Sequence, residues 1–354
     1  MSDDSRLTTH GSPAPPLRWR TIAIASLVLT LSTASAHALD VKRKDVHEFI
    51  VKMSTRHGLK RKQVEQLMAE AQSQPAILEA ISRPAERVLP WFEYRNRFLT
   101  EKRIGQGIAF RKNYADQLRE IDRMGVSSDV VTGILGVETT YGANIGKYRV
   151  LDALATLAFD YPARADFFRS ELEEFLLLAR EEHLDPLAAI GSYAGAMGIP
   201  QFMPSSYRKF AVDADRDRHR DLWRNWDDVI LSVANYLLLH GWHNGEPIAV
   251  PATLPDGDAS KFDTVTLALN ETVESLRSKG VVFETDMPLG APAMLIAAQG
   301  KEGTEYRVGF NNFYVITRYN HSPLYAMAVN DLGVAIDRAL TAGVHEAQPL
   351  ATSQ

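Results

Sequence analysis

Between Asp129 and Lys147 only one side chain carries a charge, that of Glu138. About one helical turn away stand Ile134, Leu135 and Tyr141, and Val137 precedes it. A carboxylate on such a surface loses hydration when it ionises, so its pKa should rise toward neutrality. A carboxyl group still protonated near neutral pH can serve as a general acid, and its conjugate base can take a proton back. Gly133, Gly136 and Gly142 would let a backbone or a ligand come close. The plain alternative is a structural glutamate that caps a helix or pairs with a distant arginine. Glu-x-x-Tyr-Gly is too short a pattern to separate the two.

A second stretch, Gly191 to Tyr207, lies in a run with no charge between Asp185 and Arg208. It sets polar tips (Ser192, Gln201) among glycines and apolar walls (Met197, Phe202, Met203). Apolar faces for stacking and neutral hydrogen-bonding groups for hydroxyls and amides suit a sugar. A buried glycine-rich turn between helices has the same composition.

Helices must position both stretches. Val41 to Leu67 has helical apolar spacing (Phe49, Ile50, Met53), broken at Gly58. Leu99 to Met124 reads as one long amphipathic helix ended by Gly125, and Ser128-Asp129 can cap a helix running through Glu138 to about Thr140. Leu151 to Leu157, Ala163 to His183 and Asp228 to His240 read as further helices. Past Gly241 short runs of strand length follow, at 247–252, 264–269, 281–284, 293–298, 306–310 and 313–318, separated by Gly, Asp and Pro. Leu324 to Ala342, after Pro323, is again helical. No internal repeat is apparent.

The whole chain sets outer limits. Its 354 residues are 45% hydrophobic and 23% charged, with a formal net charge of −5, the balance of an ordinary globular protein. No basic stripe suggests nucleic-acid binding. There is no cysteine, which excludes disulfides, a thiol nucleophile, a cysteine zinc site and a lipid anchor on cysteine. No zinc-protease spacing is present. Arg18 and Arg20, the apolar run Thr21 to Leu31 and the small residues ending in Ala36-His37-Ala38 follow the order of a secretory signal, with the mature chain starting near Leu39. An uncleaved anchor is the alternative.

Taken in order, Gly136-Val-Glu-Thr-Thr-Tyr-Gly142, Leu151-Asp-Ala-Leu-Ala-Thr-Leu157, Gly195-Ala-Met-Gly-x-x-Gln-Phe-Met-Pro-Ser-Ser-Tyr207, Ser232-Val-Ala-Asn-Tyr236 and His240-Gly-Trp242 resemble the lytic murein transglycosylase B family, over about 94–329. The resemblance implies an α+β, mainly α fold: a lysozyme-like catalytic core with a helical domain and a small β-rich module. The corresponding divisions are a signal peptide at 1–38, an N-terminal helical region at 39–125, the core at 126–242, the β-rich module at 243–322 and a C-terminal helix and tail at 323–354. It further implies that Glu138 is the catalytic residue and that Tyr94, Ser192, Gln201, Tyr236, Tyr319 and Asn320 contact substrate. A position that is often tyrosine in the family falls on Phe167, where stacking would remain without a hydroxyl. The implied reaction cleaves the bond between N-acetylmuramic acid and N-acetylglucosamine in peptidoglycan. The sugar's own acetamido group assists, and a 1,6-anhydro end is formed.

Asp213-x-Asp215-x-Asp217, followed by His219 and Asp221, resembles the start of an EF-hand calcium loop. Arg218 and Arg224 stand at the turn-glycine and final-ligand positions, so the resembling family's longer loop would close on Asp228 or Asp227. Such a calcium ion would be structural, with no cofactor needed for the chemistry. Alternatively Arg216, Arg218 and Arg220 pair with the acids without metal. Trp223, Trp226 and Trp242 read as core rather than sugar platforms. A hydrolysing muramidase, a non-catalytic peptidoglycan-binding protein and, more remotely, a calcium sensor are the rival readings. The expected partners are peptidoglycan strands and cell-wall synthesis or division complexes, for a monomeric protein in the periplasm that binds no nucleic acid.

Overall fold

The computed structural model describes residues 36–82 and 89–347. The leader read at 1–38 therefore lies outside the described residues except for its last three. His37–Ala38 (β1) pair with Gln72–Ser73 (β2). The first helices are α1 (Lys44–His57), α2 (Arg61–Glu70), α3 (Pro75–Ser82) and α4 (Trp91–Asn96), then α5 (Glu101–Asn113), α6 (Ala115–Arg123) and α7 (Ser128–Thr139). The centre continues with β3 (Tyr148–Arg149), α8 (Val150–Asp160), α9 (Ala165–Glu181), β4 (Ile190–Gly191), α10 (Pro204–Phe210) and α11 (Trp226–Leu239). The last third holds β5 (Ala249–Ala252), β6 (Glu271–Thr272), α12 (Val273–Ser278), β7 (Pro292–Gln299), β8 (Thr304–Gly309), α13 (Asn311–Tyr319) and α14 (Pro323–Ala347). None of the described helices is long and apolar enough to cross a membrane.

Local chemistry explains several boundaries. Gly58 closes α1 in the left-handed region at φ 66°. Thr100 caps α5 by accepting from the Arg103 amide, Ser127 caps α7 through Asp129, and Asn225 caps α11 through Asp227 and Asp228. The helix expected over 99–124 is two helices, because Tyr114 leaves helical geometry at φ −117°, ψ 32°.

Helices and sheet share one main core, in which α7 packs chiefly on α14 and α8 on α9. Strand order in the antiparallel sheet is β5-β8-β7-β6. Along β7, Met294, Ile296 and Ala298 enter the main core. Their neighbours Ala293 and Leu295 enter a smaller cluster with Leu254, Phe262, Val273, Leu276 and Phe283. Alternate side chains of one strand thus seat the sheet on the helices and roof it on the other side.

Three expected strands are corrected. Residues 264–269 form no regular element, and 281–284 contributes only the bridge Thr253–Val282. Residues 313–318 lie in α13, a helix. Their aromatic and β-branched content favours a strand, but tertiary bonds at the helix start override it. Asn312, fully buried, donates to the carbonyls of His243 and Glu246 and accepts from the His243 amide. From that anchor Phe313 and Ile316 enter the core at helical spacing.

Candidate active site

Glu138 sits in the last turn of α7. The helix ends there because Thr140 and Tyr141 both turn left-handed, at φ 54° and 56°. Thr139 ties that end to the uncharged stretch 191–207: its hydroxyl donates to the Ile199 carbonyl (2.9 Å) and accepts from the Gly142 amide (3.0 Å). The stretch itself is a small folded cradle, with Met197 and Phe202 exchanging backbone bonds and the Ser192 amide bonded to the Ala196 carbonyl.

The Glu138 residue keeps partial exposure, while its carboxyl group is enclosed by protein. Burial pushes its pKa up to about 7, opposed by one hydrogen bond, in which the Tyr325 hydroxyl donates to Oε1 at 2.6 Å. No lysine or arginine among the described residues forms an ion pair with it, so the arginine-paired alternative does not hold. Tyr325 was not legible as a site residue. It lies 187 positions away on α14, in a run whose apolar spacing marks only a buried face.

An aromatic wall surrounds the carboxyl group. Burial and the Glu138 charge raise the pKa values of both Tyr94 and Tyr319. Tyr319 stacks on Tyr325 at 6.4 Å and meets Tyr236 at 4.8 Å and Phe202 at 5.7 Å. Two hydroxyls of this wall are already engaged: Tyr319 donates to the Pro200 carbonyl and Tyr236 to the Arg318 carbonyl, each at 2.6 Å. These two residues therefore offer ring faces rather than free donors. Gln201 donates through Nε2 to the carbonyls of Ile145 and Gly198, leaving Oε1 as an acceptor. Ser192 Oγ accepts from the amides of Ala194 and Ala196, so its own proton is available to a ligand. Asn320 is exposed beside Tyr319. Phe167 stands at the exposed start of α9 under the Arg164 guanidinium, 4.3 Å from its ring centre. A groove of about 590 Å³ lined by Ile145, Ile190, Trp223 and Arg224 adjoins the cradle at Ile145.

Asp213, Asp215 and Asp217 bring carboxylate oxygens within 4.8 Å of one another. No ion pair neutralises them among the described residues; Arg220 is engaged with Glu182. Arg216 and Arg218 are left-handed at φ 63° and 78°, so the loop takes its sharp turn despite lacking glycine there. His219 bonds through its amide to Asp217. Asp228 does not join the three acids. Fully buried, it accepts from the amides of Ala214 (2.8 Å) and Asp221 (2.7 Å), and burial pushes its pKa up to about 6. It pins the two ends of the loop from beneath. Asp227 faces α6 and accepts from Gln117.

A family profile described as a transglycosylase SLT domain matches residues 42–334. The chain is 40% identical over 307 residues to a membrane-bound lytic murein transglycosylase B of Escherichia coli, covering 82% of each. It is similar to the catenated lytic transglycosylase SltB1 of Pseudomonas aeruginosa, with TM-score 0.81, 46% identity and coverage of 84% of this chain and 98% of that one. It is also similar to the Escherichia coli lytic transglycosylase Slt35 in complex with calcium, with TM-score 0.77, 40% identity and coverage of 86% and 97%.

Proposed function

Because the chain belongs to the transglycosylase SLT domain family, we propose that Glu138 is the acid and base with which it cuts glycan strands. The protein is a lytic transglycosylase acting on peptidoglycan. The observation that carries the proposed role is the Glu138 carboxyl group itself: enclosed, without an ion pair, protonated to about pH 7 and aimed by Tyr325.

The protonated carboxyl gives its proton to the oxygen linking N-acetylmuramic acid to N-acetylglucosamine, and the muramic C1–O bond breaks. The oxocarbenium-like C1 is stabilised by the sugar's own acetamido oxygen, with the Ser192 hydroxyl as donor to that group. The Glu138 carboxylate then takes the proton of the muramic O6 hydroxyl as O6 bonds to C1. The glutamic acid is regenerated, and a 1,6-anhydro end forms without water. Tyr94, Tyr236 and Tyr319 supply walls for the sugar rings, and Gln201 Oε1 and the Asn320 amide supply neutral contacts.

Glu138→Gln should lower turnover of purified sacculi by at least about a thousandfold while glycan binding persists. Mass spectrometry of wild-type digests should show anhydro ends. Reducing ends would make the enzyme a hydrolase, and substantial lysis by the glutamine variant would remove Glu138 from the centre of the mechanism.

Asp213, Asp215 and Asp217 suit a calcium ion, since three hard oxygen donors converge within 4.8 Å and no lysine or arginine among the described residues forms an ion pair with them. The ion would steady the loop and take no part in bond cleavage. Export of the chain to the periplasm by the leader read at 1–38 fits this substrate, and fractionation of the expressing cell would test it.

A further inference from the structure

Behind the last turn of α7, three polar atoms are buried with no hydrogen-bond partner among the described residues: Arg103 Nη1, Gln106 Oε1 and Tyr141 Oη. Arg103 and Tyr141 share one notch, and Gln106 lies one turn further along the helix that walls it. Arg103 and Gln106 occupy successive turns of α5. The Tyr141 hydroxyl is wedged between α5 and α7, since a Cβ built on either Gly107 or Gly136 would come within 2.5 Å of it. Its ring stacks on Phe110 of α5 at 5.2 Å, and it feels the charge of Arg103. Arg103 has no carboxylate partner among the described residues; its Nη2 donates to Thr140 Oγ1 at 3.1 Å.

A polar atom left buried and unbonded forfeits its hydration with nothing in return, so each such atom calls for a partner. The three atoms offer a guanidinium donor, an amide acceptor and a phenol that can do either. A single water molecule complements that set: it accepts from Arg103, donates to Gln106 and bonds the phenol either way. The position also matters mechanically. Thr140 and Tyr141 follow the catalytic turn directly, and left-handed backbone at a residue with a Cβ is strained. Such strain persists only where the surroundings impose it.

We propose that Arg103, Gln106 and Tyr141 hold one buried water between α5 and the end of α7, and that this bridge keeps Glu138 in register with the scissile bond. The second half rests on Glu138 being the catalytic acid. The three side chains are positioning residues. They act on the left-handed turn and through it on Glu138.

A high-resolution crystal structure of the full chain should show an ordered water within about 3.2 Å of all three atoms, absent from Tyr141→Phe. That variant keeps the ring packing and should fold. Its kcat on soluble glycan strands should fall about tenfold with KM unchanged, because the transition-state geometry suffers and ground-state binding does not. Gln106→Leu should do the same, and the double variant should lose little more than either alone, since both break one bridge. Direct bonding among the three groups, or a notch without solvent density, overturns the water site. Wild-type kcat in Tyr141→Phe, or a rise in KM at constant kcat, overturns the positioning role. The density is read without any assay, so a failure of Glu138 as the acid would leave that half of the test standing.

Discussion

At Glu138 two opposing effects meet. Burial disfavours the carboxylate, and the Tyr325 hydrogen bond favours it, because a phenol donates better to a charged oxygen than to a neutral one. The balance at about 7 lets one group donate a proton in one step and accept one in the next. Tyr325→Phe removes only the opposing bond. The Glu138 pKa should then climb further, moving the alkaline limb of the kcat profile to higher pH, while kcat falls about tenfold through lost aim. A limb that stays in place or moves to lower pH would show that another group sets it. The uncharged, mostly apolar run around Glu138 is written along a single helix, so the acid is legible in the sequence. Its tyrosine partner is not, because no local pattern reports which distant side chain will face it. The family resemblance assigns Tyr236 and Tyr319 to the substrate, but no local pattern tells that their hydroxyls are engaged with the carbonyls of Arg318 and Pro200, which leaves their ring faces for contact.

The pairing of Glu138 with Tyr325 depends on how closely α7 and α14 cross. A Cβ on Gly133 of α7 would fall 2.3 Å from the Val329 carbonyl oxygen of α14, and one on Gly333 of α14 would fall 2.6 Å from the Asp129 carbonyl oxygen of α7. The contact is reciprocal and made against backbone, which cannot rotate aside. Val329 is one turn beyond Tyr325 on the same helix, so anything that spreads the crossing also draws the tyrosine away from the acid. Gly133→Ala should therefore destabilise the fold by about 1–3 kcal/mol and lower kcat as well. Gly105→Ala is the control: on exposed α5 surface with nothing within 4 Å, it should hold or raise the melting temperature through helix propensity. Calorimetry and turnover on the two variants separate crossing geometry from a general glycine effect; equal melting temperatures would refute the tight-crossing argument. Both helices are readable from apolar period, but their spacing is hidden, since a glycine in a helical pattern does not say which backbone it admits. Helix α13 is hidden for a different reason. Its Phe, Val, Ile and Thr content favours a strand, and the decision rests with the buried Asn312 and its partners far back in the chain at His243 and Glu246.

Across the whole molecule, α11 links the acidic loop to the catalytic wall. Its first turn carries Asn225 and Asp228, which hold the loop through Asp215 and through the amides of Ala214 and Asp221. Its later turns carry Tyr236, which packs on Tyr319 beside Glu138. Three mutually repelling carboxylates at the head of that helix oppose its docking unless a cation offsets them. A bound ion stabilises the folded chain by RT ln(1 + [L]/Kd), about 2.7 kcal/mol at a hundredfold excess over Kd. Calcium should accordingly raise the melting temperature of the intact chain by several degrees, chelator should reverse the gain, and Asp213→Asn should melt at one temperature with or without calcium. Lytic turnover well below the transition should be the same in calcium and in chelator, because the loop acts on the stability of α11 and lies outside the proton path. A wild-type melting temperature indifferent to calcium would leave the acids as a solvated loop held by Asn225 and Asp228, and a calcium response that survives Asp213→Asn would put the ion elsewhere in the molecule.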